Sequence, residues 1–147
     1  MLVHWDDVEP IAIDDGDLRG TRWRLGAAAG ATRTGLSRYR LAPGERAMPV
    51  HVHGDEEELF VVLDGDGTLE LGDEQHPVRP GSVVARPPGT GVAHAFRAAD
   101  DGLTLLAFGT REPNDIAYYP RSGKVSLRGI RAMFHVERVG YWDAEPG

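Results

Sequence analysis

The chain has 147 residues, carries a formal net charge of −7, and contains 41% hydrophobic and 27% charged residues. That balance suits a globular chain with a real core, and the acidic charge without a Lys/Arg-rich stretch argues against a nucleic-acid surface. Cysteine is absent, so disulfides and thiolate chemistry are excluded. No apolar run approaches the roughly 20 residues of a membrane span, and the first residues lack a basic start and an apolar stretch, so a cytoplasmic location is expected.

Nineteen glycines and ten prolines, spread between short apolar runs, suit an all-β fold with frequent turns. Asp14-Asp15-Gly16-Asp17 reads as a turn and Thr21–Leu25 as an edge strand. Gly26–Ala31 is small and flexible and reads as a loop rather than a poor helical turn. Leu36–Leu41 is a strand ended by Pro43-Gly44. Leu59–Leu63 is apolar throughout, as in a strand covered on both faces. If Glu58 faces inward, Phe60 and Val62 share its side by alternation, and Leu59, Val61 and Leu63 point outward. The outward set needs cover, from the chain's own termini or from a second copy in a homodimer.

Asp64-Gly65-Asp66-Gly67 reads as a hairpin turn returning through Thr68–Leu71. Asp73–His76 reads as a further turn, and a strand begins at Gly81–Ala85. His94–Arg97 and Leu103–Phe108 are expected to pair around Asp100-Asp101-Gly102. The stretch 110–124 is polar, aromatic and irregular. Val136–Val139 reads as a last strand, and Trp5-Asp6 could lie beside Trp142-Asp143.

Six histidines occur, and two stand one residue apart in His51-Val52-His53, just before Glu56, Glu57 and Glu58. In an extended segment such a pair shares one side, about 7 Å apart along the strand, and can converge on one ion. Glu56 and Glu57 read as a solvated acidic turn, with Glu57 as the alternative ligand if the register shifts by one. His4, His76 and His135 read as surface or satisfied polar residues. Arg86 could be structural or an anion contact. Tyr118, Tyr119 and Arg121 could pack a long loop onto the barrel and would touch substrate if that loop closed over the mouth.

The run from Gly44 through His51, His53 and Glu58 to Gly65 resembles the first cupin motif, a glycine, H-x-H, a glutamate and a glycine. The run Gly81, Pro87, Gly89, His94 is similar to the second. Six residues rather than five separate Gly44 from His51, and His94 comes two residues later than is common, both in loops where added length costs little. The resemblance covers about residues 35–110. It implies an all-β, cupin-type double-stranded β-helix (jelly-roll) barrel with irregular N- and C-terminal extensions, in one domain over 1–147. It also implies one divalent transition metal ion (Fe, Mn, Ni, Zn, Co or Cu) on His51, His53, Glu58 and His94. Three imidazoles and a carboxylate leave positions open on an octahedral ion for a small-molecule ligand. Dioxygenase, isomerase and non-catalytic sugar- or carboxylate-binding roles follow as expectations, because fold does not dictate reaction.

Overall fold

A computed structural model describes residues 1–143. Eleven strands form two antiparallel sheets. The larger is built from β1 (Ile11–Asp15), β2 (Leu18–Trp23), β3 (Thr34–Leu41), β5 (Glu58–Leu71), β6 (Glu74–Val78), β7 (Val83–Arg86) and β8 (His94–Thr110), in the order β1-β2-β3-β8-β5-β6 with β7 also on β5. The smaller runs β11 (Ala132–His135), β10 (Lys124–Leu127), β9 (Ile116–Tyr119), β4 (Val52–His53). The jelly-roll expectation is met, and among the described residues one α-helix, α1 (Leu25–Ala28), accompanies it.

The inward alternation holds on β5: Phe60 and Val62 are buried with Leu41, Leu69, Val78, Phe96, Leu103 and Leu105 in one core cluster. Burying an aromatic or aliphatic side chain of this kind contributes roughly 1.5–3 kcal/mol. Leu59 stays 39% exposed on the opposite face, and Val61 and Leu63 are half-buried.

Several local readings are corrected. Asp64–Gly67 is not a hairpin turn: β5 runs through it, with register shifts between Val62 and Asp64 and between Gly65 and Gly67. Likewise the two halves of β8 do not pair with each other around Asp100–Gly102. Both strands bend together, Gly65 opposite Leu103 and Gly67 opposite Ala98. A Cβ on Gly65 would run into the carbonyl of Gly102, and one on Gly67 into that of Arg97, so glycine permits the close crossing. A bulged bend and a hairpin draw on the same turn residues, which is why the local pattern misleads.

β2 is an interior strand between β1 and β3, and β1 is the edge. Gly26–Ala31 begins inside α1 rather than forming a loop, with Gly26 packed against the backbone of Leu36. The turn between β5 and β6 is Gly72-Asp73, and residues from Glu74 onward are already strand. The stretch 110–124, read as irregular, holds β9 and runs into β10 at Lys124, and the last strand is Ala132–His135, not Val136–Val139. The N-terminal extension is also ordered, as the β1–β2 hairpin. Trp5 stacks on Arg38, which in turn covers Trp23, whereas Trp142 is 79% exposed.

Candidate metal centre

His53 lies on the short β4, His51 just before it, Glu58 at the start of β5 and His94 at the start of β8. His51 and His94 are tied by a reciprocal backbone pair, His51 N–H to His94 C=O at 3.1 Å and His94 N–H to His51 C=O at 2.8 Å. Their rings lie 4.7 Å apart, and those of His51 and His53 5.0 Å apart.

One carboxylate oxygen collects the three imidazoles. Glu58 Oε2 is 3.7 Å from Nε2 of His51, 3.7 Å from Nε2 of His53 and 3.2 Å from Nε2 of His94. These approach the roughly 3 Å that separates neighbouring ligands when each stands about 2.1 Å from an ion. Glu57, the alternative from a shifted register, is exposed.

The imidazoles are set by what their other nitrogens do. Nδ1 of His51 lies 2.8 Å from the carbonyl of Pro49, and Nδ1 of His53 lies 2.6 Å from Oδ2 of Asp115. Each Nδ1–H therefore donates, which leaves the Nε2 lone pair aimed at Glu58. Glu58 Oε2 and His94 Nε2 are buried without a hydrogen-bond partner. Leaving such atoms unpaired is costly, and a divalent cation satisfies both at once. The residues present thus fit a transition metal ion.

The electrostatics agree with a cation-seeking cluster. Burial alone pushes the Glu58 carboxyl up, but the imidazoles of His51 and His94 outweigh it and hold the group well below the usual carboxylate range. Burial pushes His94 down and keeps it neutral. Burial also works against charge on His51, but the adjoining Glu58 carboxylate reverses this and raises its affinity for a proton.

Behind His53 lies a network not anticipated from the sequence. Asp115 is 2% exposed and accepts the backbone N–H groups of Asp55 and Glu56, each at 3.0 Å, besides the His53 ring. Glu56, expected in a solvated turn, is 4% exposed and pairs with Arg111 at 3.3 Å and with Arg128. Arg128 also lies 3.4 Å from Asp115. Gly109, opposite Gly35 in the ladder, makes room for the Glu56 carboxylate, and Gly35 makes room for the Arg111 guanidinium. Asp115, Glu56 and His53 have donor atoms close enough for an ion of their own. The two carboxylates already accept from guanidinium and amide N–H groups, and His53 turns its Nδ1–H toward Asp115, so the three form a hydrogen-bonded support.

A cavity of about 580 Å³ opens beside the cluster, lined by His51, His53 and Glu58 together with Arg22, Tyr39 and Tyr119. Tyr119, on β9, stacks on the His51 ring at 5.9 Å and so reaches the cavity from a strand rather than a closing loop. Burial raises Tyr39 and Tyr119, so both hydroxyls keep their protons at neutral pH. Arg86 stands directly across the ladder from Glu58 and donates to Thr90 Oγ1 and the Val92 carbonyl, which ties down the loop leading to His94. His4, His76 and His135 are exposed, as expected.

Residues 37–108 match the cupin domain family, and the chain belongs to the cupin superfamily. It is similar in structure to a sugar phosphate isomerase of that superfamily from Silicibacter pomeroyi, with 28% identity, 92% of each chain covered and a TM-score of 0.80. A proposed sugar phosphate isomerase from Acidithiobacillus ferrooxidans is 26% identical over 91% of this chain and 90% of its own, with a TM-score of 0.77. The polyketide cyclase RemF from Streptomyces resistomycificus shares the fold at 24% identity, covering 75% of this chain and 78% of its own, with a TM-score of 0.62. No curated protein matches the chain by sequence. No helix among the described residues is long and apolar enough to cross a membrane.

Proposed function

We propose that the chain is a mononuclear metal-dependent enzyme of isomerase type acting on a small, oxygen-rich phosphorylated molecule, with the ion held by His51, His53, Glu58 and His94. The observation that carries this is the convergence of three imidazole nitrogens on one buried, unpaired carboxylate oxygen at the wall of an open cavity. A bound ion would supply Lewis acidity toward a substrate carbonyl or hydroxyl. Tyr39 and Tyr119 hold protons beside that position and can hydrogen-bond substrate oxygens. The likeness to the Silicibacter pomeroyi isomerase supports the isomerase type over a dioxygenase.

A second reading, a non-catalytic sugar- or carboxylate-binding barrel, draws on one observation. The three carboxylates around the imidazoles all have other work, Glu56 pairing with Arg111 and Arg128, Asp115 accepting from the His53 ring and two backbone N–H groups, and Glu58 being a ligand of the proposed ion, so none is free as a general base.

The deciding experiment incubates metal-loaded protein with aldose and ketose phosphates in deuterium oxide and follows them by NMR. Interconversion or carbon-bound deuterium that disappears in the His51→Ala/His53→Ala variant supports the isomerase. Saturable binding with unchanged ligand supports the second reading, and no binding at all refutes both.

The proposal includes a homodimer through the outward face of β5, β7 and β8. Leu59 pairs between Ala85 and Phe108, and Leu59, Val83 and Phe108 are 39%, 64% and 40% exposed. Sedimentation of wild type against Val83→Glu tests it: a dimer that the charge converts to monomer is expected, and a monomeric wild type overturns it.

A further inference from the structure

Four arginines line the cavity beside the metal cluster: Arg22, Arg24, Arg111 and Arg128. Arg111 and Arg128 are paired with Glu56. Arg22 and Arg24 have no carboxylate partner among the described residues, although the chain carries a net charge of −7. Asp15 lines the same cavity and pairs with neither.

Arg22 is not a free surface side chain. It stands across from Tyr39 in the β2–β3 ladder, its guanidinium 5.3 Å from the Tyr39 ring, and its Nε donates to Ser37 Oγ at 3.2 Å. Ser37 is 3% exposed, so a buried hydroxyl on a neighbouring strand aims the guanidinium. Arg24 follows two residues later and lines both this cavity and an adjoining one of about 230 Å³, which it shares with Ser37 and Arg111.

We propose that Arg22 and Arg24, with Ser37 holding Arg22 in place, form a phosphate-binding subsite that takes the phosphate monoester of a ligand whose other end reaches the metal cluster. The second half of that statement rests on the function proposed above. The donor inventory selects phosphate. Arg22 keeps its terminal N–H groups after the bond to Ser37, and Arg24 offers five N–H donors. Together they exceed what the two oxygens of a carboxylate take up and match the three terminal oxygens of a phosphate monoester, for which paired guanidinium forks are suited.

The test is calorimetric titration of metal-loaded protein with inorganic phosphate, and with acetate as the carboxylate probe, with metal content measured on every sample. Phosphate is expected to bind more tightly than acetate. Arg22→Gln and Arg24→Gln should each weaken it by roughly tenfold to a hundredfold, the loss of charged hydrogen bonds, with metal content unchanged. Arg79→Gln, on the exposed turn before β7, should bind as wild type does. Arg22→Lys, which keeps the charge and loses the fork, should fall between wild type and Arg22→Gln, separating loss of recognition from loss of fold. Phosphate binding should also persist in the His51→Ala/His53→Ala variant. No phosphate binding, equal binding in the arginine variants, acetate as tight as phosphate, or loss of binding with the histidines would overturn the subsite. Phosphate binding that follows the arginines in a protein that takes up no metal leaves the subsite standing and refutes the metal-dependent function instead.

Discussion

Asp115 Oδ2 stands 2.6 Å from Nδ1 of His53, joining β4 to a residue 62 positions later in the chain. The same carboxylate accepts two backbone N–H groups, which, with its bond from the His53 ring, outweigh the upward push of burial and hold it below the usual carboxylate range. It therefore stays ionised and keeps the His53 proton on Nδ1.

Asp115→Asn tests that role. The amide oxygen can still accept from Asp55 and Glu56, but its NH₂ cannot accept from His53. The expected result is a loss of metal affinity of roughly 10- to 100-fold, the usual effect of removing such an outer partner, with the far-ultraviolet circular dichroism unchanged. Wild-type affinity in the variant would show that His53 needs no orienting group.

Of Glu56, Glu57 and Glu58, only Glu58 has its carboxylate against all three imidazoles. Elemental analysis should find Glu58→Gln strongly depleted in metal and Glu57→Gln at wild-type occupancy. The reverse order would place the ligand one residue earlier.

His94 is 1% exposed with an unpaired Nε2, whereas the side chain of His76 is 47% exposed and turned to Glu74. His94→Ala should lose most of its metal and His76→Ala should keep it. Equal occupancy in the two would contradict the proposed ligand set.

Glu70 collects Arg46, Arg97 and Arg121 at the other end of β5. Burial raises its pKa, but Arg46 and then Arg121 lower it overall below 4.5. A depressed carboxyl contributes stability above its unfolded-state pKa and loses it as pH falls through the folded value. Glu70→Gln should therefore cost about 3 kcal/mol near pH 7, as expected when one partner of a buried pair is removed. The gap to wild type should narrow as pH falls below about 4.5. A gap independent of pH, read from thermal melts at several pH values, would mean that packing rather than charge is lost.

Gly65→Ala should destabilise by at least about 1–3 kcal/mol, because φ is 75° there and a Cβ would strike the Gly102 carbonyl. Thermal unfolding at neutral pH reads the effect directly, and an unchanged melting temperature would show that the crossing of the two strands can relax.

What could be read ahead of the structure was whatever depends on short spacing. The H-x-H pair, the inward parity of Glu58, Phe60 and Val62, and the second-motif histidine are all local patterns, and the geometry brings their side chains where parity put them. Asp115 and Arg22 were out of reach because each matters through a partner well away in sequence, and Tyr119 was legible only as a loop residue because its stacking on His51 depends on β9. Glu56 was misjudged for the same reason, since its cations come from positions 111 and 128. The strands after Gly109 are only four residues long, too short for a period to stand out from the surrounding turns.

The ladder between β5 and β8 begins with Glu58 opposite Gly109 and ends with Leu71 opposite His94, so Glu58 and His94 sit at its two extremes. Their side chains nevertheless come within 3.2 Å. Such a meeting requires the shared glycine bend to have rolled the sheet fully over, so the cluster works as a clasp that exists only in the closed barrel. Unfolded or half-rolled chains have no clasp to offer, and an ion that grips it stabilises the closed form by mass action. Uptake of the proposed ion would thus report completion of the fold, and a substitution far from the cluster that loosens the bend should weaken metal binding without touching a ligand.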